Sequence, residues 1–150
     1  MSHTNPMDAH RQQAHLEAPL EAVWELVATP SRYPEWWPRV IEVHGERFEQ
    51  GDEFAQVTQG PFGKMSTNFL LDRRDNLREI RMTCQLSGTY ADWVLTEAQG
   101  GTFVEGYFAI EPNSLGWRMV GAVAGRRFMR SWLERSLENL KEAAEQPQTA

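Results

Sequence analysis

Residues able to move protons sit in two neighbouring stretches: Tyr90 and Asp92 in one, Glu105 and Tyr107 in the next. Inside a pocket, such groups could carry the proton transfers of an aldol cyclisation or a dehydration. Their phase decides whether they can. Ala91, Trp93 and Leu95 alternate with Tyr90 and Asp92; Val104, Gly106, Phe108 and Ile110 alternate with Glu105 and Tyr107. The apolar sets belong on the buried face of a sheet, so the acid–base groups are expected on the outer face. A one-residue slip or a bulge would bring them inside. The enzyme reading therefore hinges on register, and no catalytic residue is assigned.

Other reactive types are sparse. Cys84 is the sole thiol, and it shares strand phase with Ile80, Met82 and Leu86, as a small buried hydrophobe would. The histidines His3, His10, His15 and His44 have no ligand spacing with Cys84 or a carboxylate, so no metal site is expected. No serine lies in a nucleophile-elbow pattern, and Gly60-Pro61-Phe62-Gly63 reads as a turn.

The pattern points to a binding wall instead. Phe54, Phe69, Met82, Trp93, Phe108 and Met119 fall on inner faces, with Cys84 and Val123 beside them. Gln56, Thr58 and Thr67 share phase with Phe54 and Phe69, and buried polar groups need partners. A plain packed core accounts for any one of these residues. The small residues Ala91 and Gly106, beside Trp93 and Phe108, favour open volume for the group. Arg126 lies about 20° from the centre of an apolar helical stripe. Two fates are open to it: an anchor for a carboxylate, enolate or phenolate, or a side chain that reaches the edge and pairs with a protein carboxylate.

The elements that must hold these residues follow from periodicity. Gln12–Ala18 reads as a first strand. Leu20, Val23, Trp24 and Val27 repeat at i, i+3, i+4, i+7 behind Pro19, a short amphipathic helix. A second short helix runs through Tyr33-Pro34-Glu35-Trp36-Trp37 and ends at Pro38. From Val40 to Glu111, β-compatible runs alternate with Gly, Pro, Asp and Asn turns, the signature of an antiparallel meander. After Pro112-Asn113-Ser114 a long helix runs to about Glu145. Its stripe comprises Leu115, Met119, Ala122, Met129, Leu133, Leu137, Leu140 and Ala144. A second stripe, Gly121, Gly125, Phe128 and Trp132, predicts a bend near Gly125 or packing against the short helices, in preference to dimerisation.

Strands and helices are segregated, so the fold class is α+β, one domain over residues 12–145 between a lead-in (1–11) and a tail (146–150). The 150 residues suffice for a core, and the six tryptophans and seven phenylalanines need a core, a cavity or an interface to occupy. A net charge of −6 argues against nucleic acid as a partner. No apolar run approaches the ~20 residues that span a bilayer. One unpaired cysteine suits a reducing cytoplasm.

Three stretches carry a family resemblance. They are Ala18-Pro19-Leu20-Glu21-Ala22-Val23-Trp24-Glu25-Leu26 followed by Pro30 and Tyr33-Pro34-Glu35-Trp36-Trp37-Pro38; Trp93-Val94-Leu95-Thr96-Glu97 running into Gly100-Gly101-Thr102; and Leu137-Glu138-Asn139-Leu140-Lys141-Glu142. In this order the chain resembles the START-like, or SRPBCC, superfamily and its polyketide cyclase/dehydrase-like branch. The resemblance implies a helix-grip fold: a curved antiparallel seven-strand sheet, two short helices, and a long C-terminal helix over the sheet. It also implies an elongated cavity between sheet and helix, open to oily ligands. The expected function is binding or carriage of a hydrophobic small molecule (a lipid, polyketide or aromatic metabolite) without a cofactor, by a monomer or weak homodimer. The alternatives are a polyketide cyclase/aromatase or dehydratase, and a co-chaperone-like interaction domain using a surface around Phe128 and Trp132.

Overall fold

The computed structural model describes residues 10–60, 63–86, 88–110 and 124–146. Strand β1 (His10–Leu16) leads into helix α1 (Leu20–Val27), a 3-10 turn (Pro30–Arg32) and helix α2 (Tyr33–Trp36). The meander follows: β2 (Val40–His44), β3 (Glu53–Gly60), β4 (Gly63–Asp75), β5 (Glu79–Cys84), β6 (Thr89–Ala98) and β7 (Gly101–Ile110). Helix α3 (Ala124–Glu145) closes the order. The seven strands form one antiparallel sheet in the order β1-β7-β6-β5-β4-β3-β2. This is the expected α+β helix-grip arrangement. The first strand starts at His10, two residues ahead of the lead-in boundary, and ends before Ala18.

Helix α1 forms because Val23, Trp24, Leu26 and Val27 make one buried face, with Pro19 as its N-cap residue. Its C-terminal carbonyls would lack partners inside the helix. The aromatic stretch after it supplies them: the Tyr33 hydroxyl donates to Val27 O (2.6 Å) and Trp36 Nε1 donates to Leu26 O (3.2 Å). Burial pushes the Tyr33 hydroxyl pKa up, which keeps this donor protonated. The short helices are thus locked to each other, and Trp37 is pressed toward the sheet.

The alternation in β5, β6 and β7 puts Ile80, Met82, Cys84, Ala91, Trp93, Leu95, Val104 and Phe108 in the core, as expected. Leu86 departs from this pattern. It is 80% exposed because β5 stops at Cys84 and Leu86 lies in the following turn, where strand phase no longer applies. Helix α3 lays Leu133, Leu137 and Leu140 on the inner face, all buried, with Ala144 packed at the margin. The stripe positions Leu115, Met119 and Ala122 lie outside the described residues, as do Gly121, the expected helix start and the side chain of Met129. Among the described residues, no helix is long and apolar enough to cross a membrane.

Candidate ligand-binding site

The inner face carries a continuous aromatic assembly. Trp37 is its hub: it stacks on Trp36 (centroids 5.4 Å apart) and Trp132 (5.9 Å), and meets Tyr33 (4.7 Å), Trp93 (5.6 Å) and Phe108 (5.9 Å). Phe54 stacks on Phe69 at 5.6 Å from the facing position of the neighbouring strand. Trp132 reaches inward from α3, and its Nε1 donates to Pro38 O at 2.7 Å. Of the two outcomes expected for the second helix stripe, local packing of Trp132 against the α2 region is the one found. The Phe128 side chain is outside the described set.

Between these rings lies a void of about 30 Å³, lined by Trp37, Gln56, Phe69, Thr89, Tyr90, Ala91, Phe108 and Trp132. Its accessible wall is apolar. Trp37 and Phe108 are buried, whereas Phe69, Thr89, Tyr90 and Trp132 are half-buried. A larger groove of about 640 Å³ lies at the opposite end of β6, between Glu17–Leu20 and Glu97–Gly101. It is open to solvent and includes none of the aromatic wall; the smaller void is the more enclosed of the two.

Of the residues expected at the wall, Gln56, Phe69 and Phe108 line the void. Phe54, Met82, Cys84 and Trp93 are buried in the surrounding core and do not line it. Thr67 stands across from Gln56 on β4, and Thr58 accepts a bond from Gln56 Nε2 at 3.4 Å. Met119 and Val123 are outside the described residues, and so is the side chain of Arg126, the expected anchor. The expectation that Ala91 and Gly106 both leave open volume divides. Ala91 lines the void, but a methyl group at Gly106 would lie 2.7 Å from Trp93 and 3.0 Å from Leu133, so that space is filled.

Three inner-face features were not assigned to the wall from the sequence, although packing of Trp132 against the short helices was expected. Trp37 and Trp132 are central to the wall. A usable signal was the density of large rings in Tyr33-Pro34-Glu35-Trp36-Trp37, too apolar for a solvated loop. The third is Arg74. A bulge between Leu71 and Arg73 shifts the register, so Arg74 pairs with Ile80 on the inner side and its guanidinium lies 5.8 Å from the Trp24 ring. Arg74 is therefore a cation on the inner face where alternation predicted none.

Asp92, Glu105 and Tyr107 fall on the outer side as the phase predicted, whereas Tyr90, expected there too, reaches the void. Asp92 pairs across from Arg81 and Tyr107, and Glu105 from Gln13, on the outer side. The Tyr107 hydroxyl donates to Glu105 at 3.1 Å, and Glu105 also binds Arg11. The Arg81 guanidinium covers the Tyr90 ring at 3.8 Å. Burial, then a hydrogen bond to Glu79, pushes the Asp92 carboxyl up to about 8. Of this set Tyr90 alone touches the void. The described residues hold no cluster of metal-binding side chains.

The sequence matches, over residues 7–145, the family described as polyketide cyclase/dehydrase and lipid transport. A comparison with curated proteins returns no match. Among solved structures, a protein from Nitrosomonas europaea superposes with a TM-score of 0.73 at 17% identity, covering 90% of this chain and 92% of that one. The di-domain ARO/CYC protein BexL of the BE-7585A biosynthetic pathway gives 0.69 at 20% identity, over 96% of this chain and 52% of its own. The Aha1 dimer from Colwellia psychrerythraea gives 0.71 at 14%, over 95% of this chain and all (100%) of that one. At these identities the structural likenesses establish the fold alone; the sequence match over residues 7–145, joined to the helix-grip topology, establishes that the chain belongs to the polyketide cyclase/dehydrase and lipid transport family of the START-like (SRPBCC) superfamily.

Proposed function

We propose that the chain binds an apolar small molecule, a lipid, polyketide or aromatic metabolite, between the inner face of the sheet and α3, as a carrier or receptor. The observation that carries this reading is the enclosed apolar void walled by rings from α3, β4, β7 and the Trp37 segment. Binding is favoured over turnover because the described lining holds no carboxylate or histidine, and Tyr90, its one ionisable side chain, has its ring covered by the Arg81 guanidinium. A surface-docking role around Trp132 loses support, since that ring is taken into the core. The void as it stands accommodates about one water molecule. A ligand ring therefore needs a wall to move aside, and the half-buried ones are Phe69, Thr89, Tyr90 and Trp132. The unpaired, buried Cys84 fits a reducing, cytoplasmic setting.

The test pairs native mass spectrometry of purified protein with titration of 1-aminoanthracene, an apolar fluorophore. Wild type is expected to carry a co-purified apolar molecule or to bind the fluorophore with 1:1 stoichiometry. Ala91→Val, which grows into the void, should weaken that binding at least about tenfold while cooperative unfolding is retained. Equal binding by the two proteins would place the ligand elsewhere and end this reading.

A further inference from the structure

We infer that the void selects, among apolar ligands, those bearing a hydroxyl group, and that Gln56 and Trp37 make the selection; this rests on the binding reading above. Gln56 is 2% exposed and Trp37 3%. Among the described residues, the Gln56 amide oxygen has no donor and the Trp37 indole N–H no acceptor. Buried polar atoms are nearly always paired, yet these two orphans belong to side chains in the wall of one void. The ring faces of Trp37 are covered by Trp36 and Trp132. Its N–H lies in the ring plane, so neither stacked neighbour satisfies it.

One orphan accepts and the other donates. A hydroxyl is the small group that serves both with a single oxygen. Its O–H donates to Gln56 Oε1, and its lone pair accepts from Trp37 Nε1. A ketone or ether oxygen would serve Trp37 alone, and a methyl group neither. In the resting fold neither polar atom opens on the void, whose accessible wall is apolar. The last torsion of a glutamine is broad and soft. Turning the amide forward gives up only a long 3.4 Å bond to Thr58 Oγ1. The flat walls provided by Trp37, Phe69, Phe108 and Trp132 suit a ring as the apolar body.

Phenol, anisole and toluene form the test set: donor and acceptor, acceptor only, and neither. Titration into protein carrying nitrogen-15 in its indoles gives affinities and reports the Trp37 N–H directly, its signal being assigned by loss in Trp37→Phe. Phenol should bind at least about tenfold tighter than toluene, with anisole between, because a site holding unpaired polar groups discriminates against a ligand that cannot pair them. A void with no polar role gives the reverse order, since the hydroxyl must be desolvated for no return. The Trp37 indole proton should move downfield with phenol and stay in place with toluene. Gln56→Leu should bring phenol down to the toluene value and leave toluene unchanged; Gln56→Met repeats the comparison should the leucine variant fold poorly. Toluene binding as tightly as phenol, or Gln56→Leu weakening both alike, overturns the inference and leaves apolar binding standing. Binding of none of the three overturns both.

Discussion

The two faces of the sheet are built from the same strands and behave as different materials. On β5, β6 and β7 the inner set is Ile80, Met82, Ala91, Trp93, Val104 and Phe108, all buried. The intervening residues Arg81, Asp92 and Tyr107 line up side by side on the outer face, flanked by Arg73 on β4 and Arg11 on β1. The inner face is held by area removed from water and by ring packing, forces that add over many contacts and resist salt. The outer face is held by ion pairs and a cation over a ring, which solvent screens. The lesson for function is that the acidic part of the acid–base set lies on the face opposite the cavity, with Tyr90 alone of that set touching the void. The groups best able to move protons, Asp92, Glu105 and Tyr107, are separated from the void by the backbone of the sheet.

The largest expected effect lies on the inner side. Leu133 is fully buried and lies against Gly106. Leu133→Ala should cost about 3 kcal/mol, the usual toll of an aliphatic cavity, read as a lower urea midpoint with unchanged slope. The next effect separates two parts of the same face. Gly106→Ala forces a methyl group against Trp93 and Leu133 and should cost about 2 kcal/mol. Ala91→Val, which grows into the void, should change stability by less than about 0.5 kcal/mol or improve it. Equal losses at the two positions would mean that the face is uniformly packed and the void illusory.

How much of this was legible in the sequence follows from the same contrast. Period-two alternation holds without interruption through β5, β6 and β7, so Met82, Trp93 and Phe108 could be placed inward, and Asp92 and Tyr107 outward, from residue types alone. The signal fails where the period breaks. Asp72 sits in the bulge of β4, and everything after it changes sides, which is why Arg74 was invisible as an inner residue. Leu86 continued the pattern in sequence, but the strand had already ended. Packing of Trp132 on the short helices was legible from its stripe, but the place of Trp37 and Trp132 in the void wall was hidden for another reason. Each joins the wall by long-range packing between the α2 region and α3, and no local period encodes which ring fills which gap. The expectation at Gly106 failed likewise, because whether a small residue leaves space depends on neighbours distant in sequence.

Asp92 tests the outer face as a function of pH. In the unfolded chain its carboxyl titrates near its ordinary value of 3.8; in the fold it is raised to about 8, by burial first and by sharing a hydrogen bond with Glu79 second, while Arg81 and Arg73 oppose the rise. The folded state thus keeps a proton that the unfolded state releases. The contribution of Asp92 to stability is fully present below about pH 4 and is lost as pH rises through about 8. Asp92→Asn keeps a donor for Glu79 and removes the ionisation. Its midpoint should match wild type at pH 4 and exceed it at pH 8 by on the order of 1 kcal/mol, an amount already reduced for the solvent on one side. Parallel pH profiles for the two proteins would show that Asp92 ionises freely in the fold.

The smallest effect completes the comparison. Arg73 reaches Glu79 at 3.2 Å from a guanidinium that is 60% exposed. Exposed pairs of this kind contribute little, so Arg73→Ala should lower stability by less than about 0.5 kcal/mol in dilute buffer. Raising the salt to about 1 M shrinks the screening length to ~3 Å and should erase the difference. Leu133→Ala measured in the same two buffers should lose the same amount in each. If Arg73→Ala proved as costly as a buried leucine, or as indifferent to salt, the outer row would be a buried network, and the division of labour between the faces would need to be redrawn around it.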